Sequence, residues 1–119
     1  MPNRVSFDSP LPEIARSEAW FARARGLIPA GTQTLAKGPT QYVEGVAPKY
    51  LERGRGCRVW DVDGNQYIDY VMSWGPLILG HAHPDVVRAA QQALERGSSY
   101  GAPTSAEVEF AELLCACMP

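Results

Sequence analysis

The chain has 119 residues, 45% of them hydrophobic and 20% charged, with a formal net charge of -2. That length allows one small domain at most, with a modest core, and mixed charges spread along the chain argue against a nucleic-acid footprint or a polybasic membrane patch. No apolar run approaches the roughly 20 residues of a membrane span, and Met1 to Pro10 has no signal-peptide core, so a cytoplasmic protein is expected, with a small molecule or a second copy of itself as partner.

Cys57, Cys115 and Cys117 are an odd set in a chain without secretion signals, so a disulfide framework is not expected. Cys115 and Cys117, two apart on a helix, point to different faces and have no histidine nearby. Buried or half-buried free thiols are the expectation, and no metal site.

Residues 1–12 hold three prolines and no periodicity, and read as an extended arm over 1–16. Ser17 stands where a helix N-cap belongs. Trp20, Phe21, Ala24, Leu27 and Ile28 follow at helical spacing until Pro29 stops the pattern, which predicts a helix packing its apolar stripe on the rest of the protein or on a partner subunit. From Pro29 to Lys49 the chain is small, polar and turn-rich, as a long loop lining a site would be. Lys37 is a candidate for meeting an anionic group there; on the residues alone, a solvated loop lysine is the simpler account.

Tyr50–Arg53, Cys57–Val62 and Gln66–Tyr70 predict a three-stranded antiparallel meander, broken by Gly54-Arg55-Gly56 and by Asp63-Gly64-Asn65. Asp61, Asp63 and Asp69 lack calcium-loop spacing, so turn capping and solvated strand faces are expected of them. The stretch from Tyr67 to Pro84 then reads as strand, exposed elbow and helix start. Gly75 and Pro76 break the strand signal, and Trp74 beside the break is placed to face a cavity.

His83-Pro84-Asp85 opens a helix whose apolar face is Val86, Val87, Ala90 and Leu94, ending at Gly97. His81 and His83 flank its start, and a hydrogen-bonded structural pair is preferred to a metal site. Thr104-Ser-Ala-Glu107 matches a capping box for a last helix carrying Val108, Ala111, Leu114, Cys115 and Met118. Fold class is therefore α+β for this chain. No local motif for catalysis can be read, neither a Gly-rich phosphate loop after a parallel strand nor a nucleophile triad.

A series of motifs carries further: Ile28-Pro-Ala-Gly31, Arg53-Gly-Arg-Gly56, Val59-Trp-Asp-Val-Asp-Gly64, Tyr67-Ile-Asp-Tyr70, Ser73-Trp-Gly-Pro76, Leu79-Gly-His-Ala-His-Pro84, Ala93-Leu94 and Gly101-Ala-Pro-Thr104. In this order and spacing they resemble the N-terminal segment of class III pyridoxal-phosphate aminotransferases, the glutamate-1-semialdehyde 2,1-aminomutase group above all, from about residue 17 to the C-terminus. The resemblance implies an α/β fold-type-I enzyme working as a homodimer on a small amine or amino-acid-like substrate. Residues 17–80 would be the start of its small domain, and 81–119 helices leading into a large cofactor-binding domain. In such enzymes a lysine forms a Schiff base with pyridoxal 5'-phosphate, which serves as electron sink.

By the same resemblance Ser73, Trp74 and Gly75 line the substrate pocket, and Gly101, Ala102, Pro103 and Thr104 form a loop near the dimer-shared site. Core packing is the alternative for Trp74. Where the aminomutases place an arginine that meets the substrate carboxylate, Lys37 stands here, keeping the charge without the bidentate fork. An amino sugar, an ω-amino compound or another amine is thus a possible substrate in place of glutamate semialdehyde. The Schiff-base lysine, the phosphate-binding turn and the pyridinium partner are not matched, so no catalytic residue is assigned. The chain alone is expected to be inactive and not to hold the cofactor, as a front segment of such an enzyme. The alternative is a non-catalytic interaction module or truncated-gene product that pairs with a partner subunit through exposed helix faces.

Overall fold

The computed structural model describes residues 10–118, in two units, one running to His83 and the other starting at Pro84. Most of the expected N-terminal arm therefore lies outside the described residues. Helix α1, Ala15–Arg25, starts with Ile14 at its N-cap, three residues earlier than Ser17 suggests. Ser17 lies inside the helix, fully buried, because the cap comes from a distant residue: Asp63 accepts the Arg16 amide at 2.6 Å and the Ser17 amide at 2.9 Å. A carboxylate here answers both the orphan donors and the positive end of the helix dipole.

The apolar stripe of α1 is only partly covered. Phe21 packs so closely on Gly31 that a Cβ there would lie 2.7 Å from its ring, whereas Trp20 and Leu27 stay exposed, the former under the Arg23 guanidinium at 4.4 Å. The loop after α1 folds into three short 3-10 turns, Pro29–Gly31, Leu35–Lys37 and Pro39–Gln41. Tyr50 ties the first of these to the sheet by donating its hydroxyl to the Gly31 carbonyl, 3.1 Å.

The sheet is an antiparallel meander of β1 (Leu51–Arg55), β2 (Arg58–Asp61) and β3 (Gln66–Ile68), in that order. Its first hairpin turns at Gly56-Cys57, with Arg55 opposite Arg58 and Gly56 at φ +58. Gly54, expected in a turn, is instead inside β1. Its missing side chain is what admits the His81 ring, which a Cβ would meet at 2.5 Å. The register shifts between Leu51 and Arg53, and across it Arg53 stacks on Trp60 at 3.8 Å.

Val59 is the buried hydrophobic residue of the described chain, and Asp61 is buried on the same strand. Period-two alternation puts both on one face of β2. Asp61 is thus not on a solvated face. It accepts from the Asp63 amide (3.0 Å), the Asn65 amide (2.8 Å), Asn65 Nδ2 (2.9 Å) and the Tyr67 hydroxyl (2.9 Å), the full complement that makes burial of a carboxylate tolerable.

In the second unit, α2 (Pro84–Leu94) and α3 (Ser105–Cys117) have no buried residue. Helix α3 has the acidic half of its capping box, Glu107 Oε1 accepting the Thr104 amide and hydroxyl, each at 3.1 Å. The apolar positions of both helices, Val86, Leu94, Val108 and Leu114 among them, are exposed. All three cysteines are exposed as well, contrary to the buried thiols expected: Cys57 sits at a hairpin tip, and Cys115 and Cys117 on a helix that nothing described here covers.

Candidate functional site

After β3 the backbone makes an unusual turn. Met72 (φ +46), Ser73 (φ +55) and Trp74 (φ +64) are consecutive left-handed residues, followed by Gly75 at φ +113. The turn is closed by Trp74 N–H to Val71 O (2.9 Å) and Gly75 N–H to Met72 O (3.2 Å). Glycine suits the fourth position, but each of the other three costs about 1–2 kcal/mol in this region. Such strain persists only where surrounding contacts fix it, and it gathers at ligand sites.

Asp69 provides the fixing contacts. One carboxylate oxygen accepts the Val71 amide at 2.8 Å and the Met72 amide at 3.0 Å, and the other pairs with His81 Nε2 at 2.6 Å. A carboxylate only accepts, so Nε2 carries the proton of that bond. Burial pushes the Asp69 pKa up, but the His81 bond, the Met72 and Val71 amides and the His81 charge outweigh it and hold the group below the usual carboxylate value. His81 is itself fastened to the first hairpin, its amide donating to Gly56 O and its carbonyl accepting the Gly56 amide, both at 2.8 Å. Of the two histidines expected to be hydrogen-bonded structural residues, His81 is bonded, whereas His83 has its Nδ1 buried without a partner among the described residues. No group of three or more His, Cys, Asp or Glu placed to hold a metal ion is found among the described residues.

The turn borders a cleft of about 660 Å³ in the first unit. Lys37, Ser73 and Trp74 line it together with Tyr42, Tyr50 and Tyr67; Gly75 does not. Trp74 is 63% exposed, an indole presented to space rather than packed in a core. Lys37 is exposed at the end of its turn. Tyr67 joins the cleft to the Asp61 hub. Its pKa is pushed up to about 12 by burial, then by the bond to Asp61 and that group's charge, so it remains a neutral hydrogen-bond donor. Gly101–Thr104 belong to the second unit, where Thr104 precedes α3.

The sequence singled out Lys37, Ser73 and Trp74 but not Asp61, Tyr67 or the Asp69–His81 pair. Strand parity was the signal available for Asp61, since it shares the face of Val59.

Residues 41–119 match the aminotransferase class-III family model. The chain belongs to the class-III aminotransferase family. Over 99 residues it is 54% identical to the glutamate-1-semialdehyde 2,1-aminomutase of Nitrosomonas europaea, covering 83% of this chain and 22% of that protein. Among solved structures, a transaminase with PLP bound matches with a TM-score of 0.77 and 40% identity, over 88% of this chain and 24% of the other. A glutamate-1-semialdehyde aminomutase from Pseudomonas aeruginosa PAO1 matches at 0.69 and 26%, over 82% and 21%. The chain thus spans about a fifth to a quarter of its relatives' length. Its meander and helices fit an α+β portion of such transaminases.

Proposed function

We propose that this chain supplies the substrate-facing wall of a pyridoxal-phosphate-dependent aminotransferase or aminomutase that moves an amino group to, or within, a small carbonyl or amine compound. The observation that carries this reading is the convergence of Lys37 and the strained Ser73–Trp74 turn on one cleft. An ammonium at the rim attracts a carboxylate or another anionic group of the substrate, and the Trp74 ring offers an apolar face that excludes water from its carbon skeleton. Ser73 adds a donor, and the Tyr67 oxygen, whose proton goes to Asp61, adds an acceptor that helps to orient it. With Lys37 as a point charge rather than an arginine fork, the site favours a substrate whose anionic group needs no planar bidentate clamp.

Pyridoxal phosphate supplies an electron sink when bound. The residues here do not suffice to hold it. Lys49 has its ammonium on the Glu18 carboxylate at 2.6 Å and over the Phe21 ring at 4.8 Å, and Lys37 is exposed; neither is the desolvated, unpaired amine that condenses with a carbonyl. With neither lysine placed to condense with it, the cofactor's anchors belong to other polypeptide, and the wall acts against a group held elsewhere. The chain by itself is inactive in this reading. The whole enzyme is cytoplasmic and homodimeric, and Gly101, Ala102, Pro103 and Thr104 lie near the site shared across its dimer.

Lys37→Met in the longer polypeptide tests the wall directly. The KM for a carboxylate-bearing amine rises on the order of tenfold, the worth of one charge-assisted bond, while kcat is largely kept. An unchanged KM would overturn the role of Lys37. Titrating the isolated chain with pyridoxal phosphate should leave the cofactor's visible absorbance unshifted.

The uncovered faces of α2 and α3 support a second reading, a non-catalytic module that pairs with a partner subunit. A soluble, monomeric and cooperatively folding isolated chain favours it; aggregation favours the enzyme segment.

A further inference from the structure

The turn that presents Ser73 and Trp74 has little support from within itself. Three non-glycine residues in the left-handed region are held by two internal bonds, and no side chain caps them from within. What secures them is Asp69, whose carboxylate joins the Val71 and Met72 amides on one oxygen to the His81 ring on the other. His81 is in turn a fixed post: both its backbone groups are bonded to Gly56, and its ring fills the space that Gly54 leaves. The line runs from the β1–β2 hairpin through His81 and Asp69 to the cleft wall.

We propose that Asp69 and His81 are positioning residues for the substrate-facing wall, holding the left-handed Met72–Gly75 turn so that Trp74 and Ser73 face the cleft. This rests on the reading of the cleft as a substrate wall. Asp69 touches no reacting atom. It acts by fixing where the indole and the hydroxyl stand, and losing it lets the turn relax toward the right-handed region favoured by non-glycine residues. Nothing else among the described residues bonds the Val71 and Met72 amides, so the loss cannot be made good by a neighbour.

The test labels the tryptophans of the longer polypeptide with fluorotryptophan and assigns the fluorine resonances of Trp20, Trp60 and Trp74 through their single Trp→Phe variants. In Asp69→Ala the Trp74 resonance shifts and broadens while those of Trp20 and Trp60 stay in place. Asp69→Asn keeps an oxygen for the two amides and restores the Trp74 signal to near its native position. Should Asp69→Ala fail to fold, His81→Phe carries the test, because it keeps a ring against Gly54 and both amide bonds of Asp69 while removing the ring nitrogens, and with them the Nε2 bond to Asp69; a smaller shift confined to Trp74 is expected. An unmoved Trp74 resonance in whichever variant folds overturns the proposal, as does equal movement of all three resonances. In the longer polypeptide, Asp69→Ala should raise the KM for the amine severalfold more than it lowers kcat. If Trp74 moves but Trp74→Ala leaves amine turnover intact, the positioning role stands and the substrate-wall reading falls.

Discussion

In the unit up to His83, strands, helix end and cleft wall are joined by carboxylates: Asp61 gathers four donors, Asp63 caps α1, and Asp69 fastens the elbow to His81. In the unit from Pro84 the two helices rest on local signals, a proline and Asp85 at the start of α2 and the Thr104–Glu107 box at α3, and their apolar positions stay exposed. The first unit is held by polar bonds, local around Asp61 and joining distant segments at Asp63, with very little apolar burial. The second has the sequence pattern of packed helices without anything described to pack on. A buried polar hub is satisfied from within its own sequence neighbourhood, whereas an amphipathic face is satisfied only by a partner surface.

The contrast is broken most severely at Asp61. Asp61→Ala strands several buried donors at about 1–3 kcal/mol each, enough to unfold the meander, which loss of the amide-exchange protection of β2 and β3 would register while α3 keeps its helical signal. Gly54→Ala drives a methyl into the His81 ring and costs about 1–3 kcal/mol by overpacking, seen as a lower denaturant midpoint. Thr104→Ala, in the other unit, removes about 1 kcal/mol from α3 alone and leaves the meander's midpoint unchanged, a sharp check that the two are held by separate means.

Acid acts on the first unit too. Burial raises the Asp63 pKa, but the Ser17 side chain, the Arg16 and Ser17 amides and the Arg16 charge bring it below its ordinary value. The Ser17 hydroxyl has no well-oriented partner among the described residues, so the two amides are the bonds that matter. Groups with depressed folded-state pKa values, here Asp63 and Asp69, stabilise above their unfolded value of 3.8, and that contribution is lost as pH falls through the lower folded values. The denaturant midpoint of the meander should therefore fall below about pH 4, with the α1 end and the elbow exchanging first.

The meander, its strand order and the elbow were legible because Asp-Gly turns and alternating runs are local signals. The helices of the second unit were legible from their caps and spacing. Less legible were features that depend on distant residues. Ser17 has the right chemistry for an N-cap, yet Asp63, far along the chain, takes that role and pulls the helix start back to Ala15. Gly54 looks like a turn residue, and only the His81 ring explains why it lies in a strand. At the site, Lys37 and Ser73–Trp74 were visible as chemistry beside breaks in pattern. The supports, Asp69 with His81 and Asp61 with Tyr67, were not, because charged residues are ordinarily solvated; strand parity with Val59 marks Asp61, but nothing local marks the Asp69–His81 pair.

The account turns on the indole at the cleft. Trp74→Ala in the longer, cofactor-loaded polypeptide should lower kcat/KM for the amine substrate on the order of tenfold to a hundredfold, with the cofactor's absorbance unchanged. A kcat/KM that stays at the native value would contradict it.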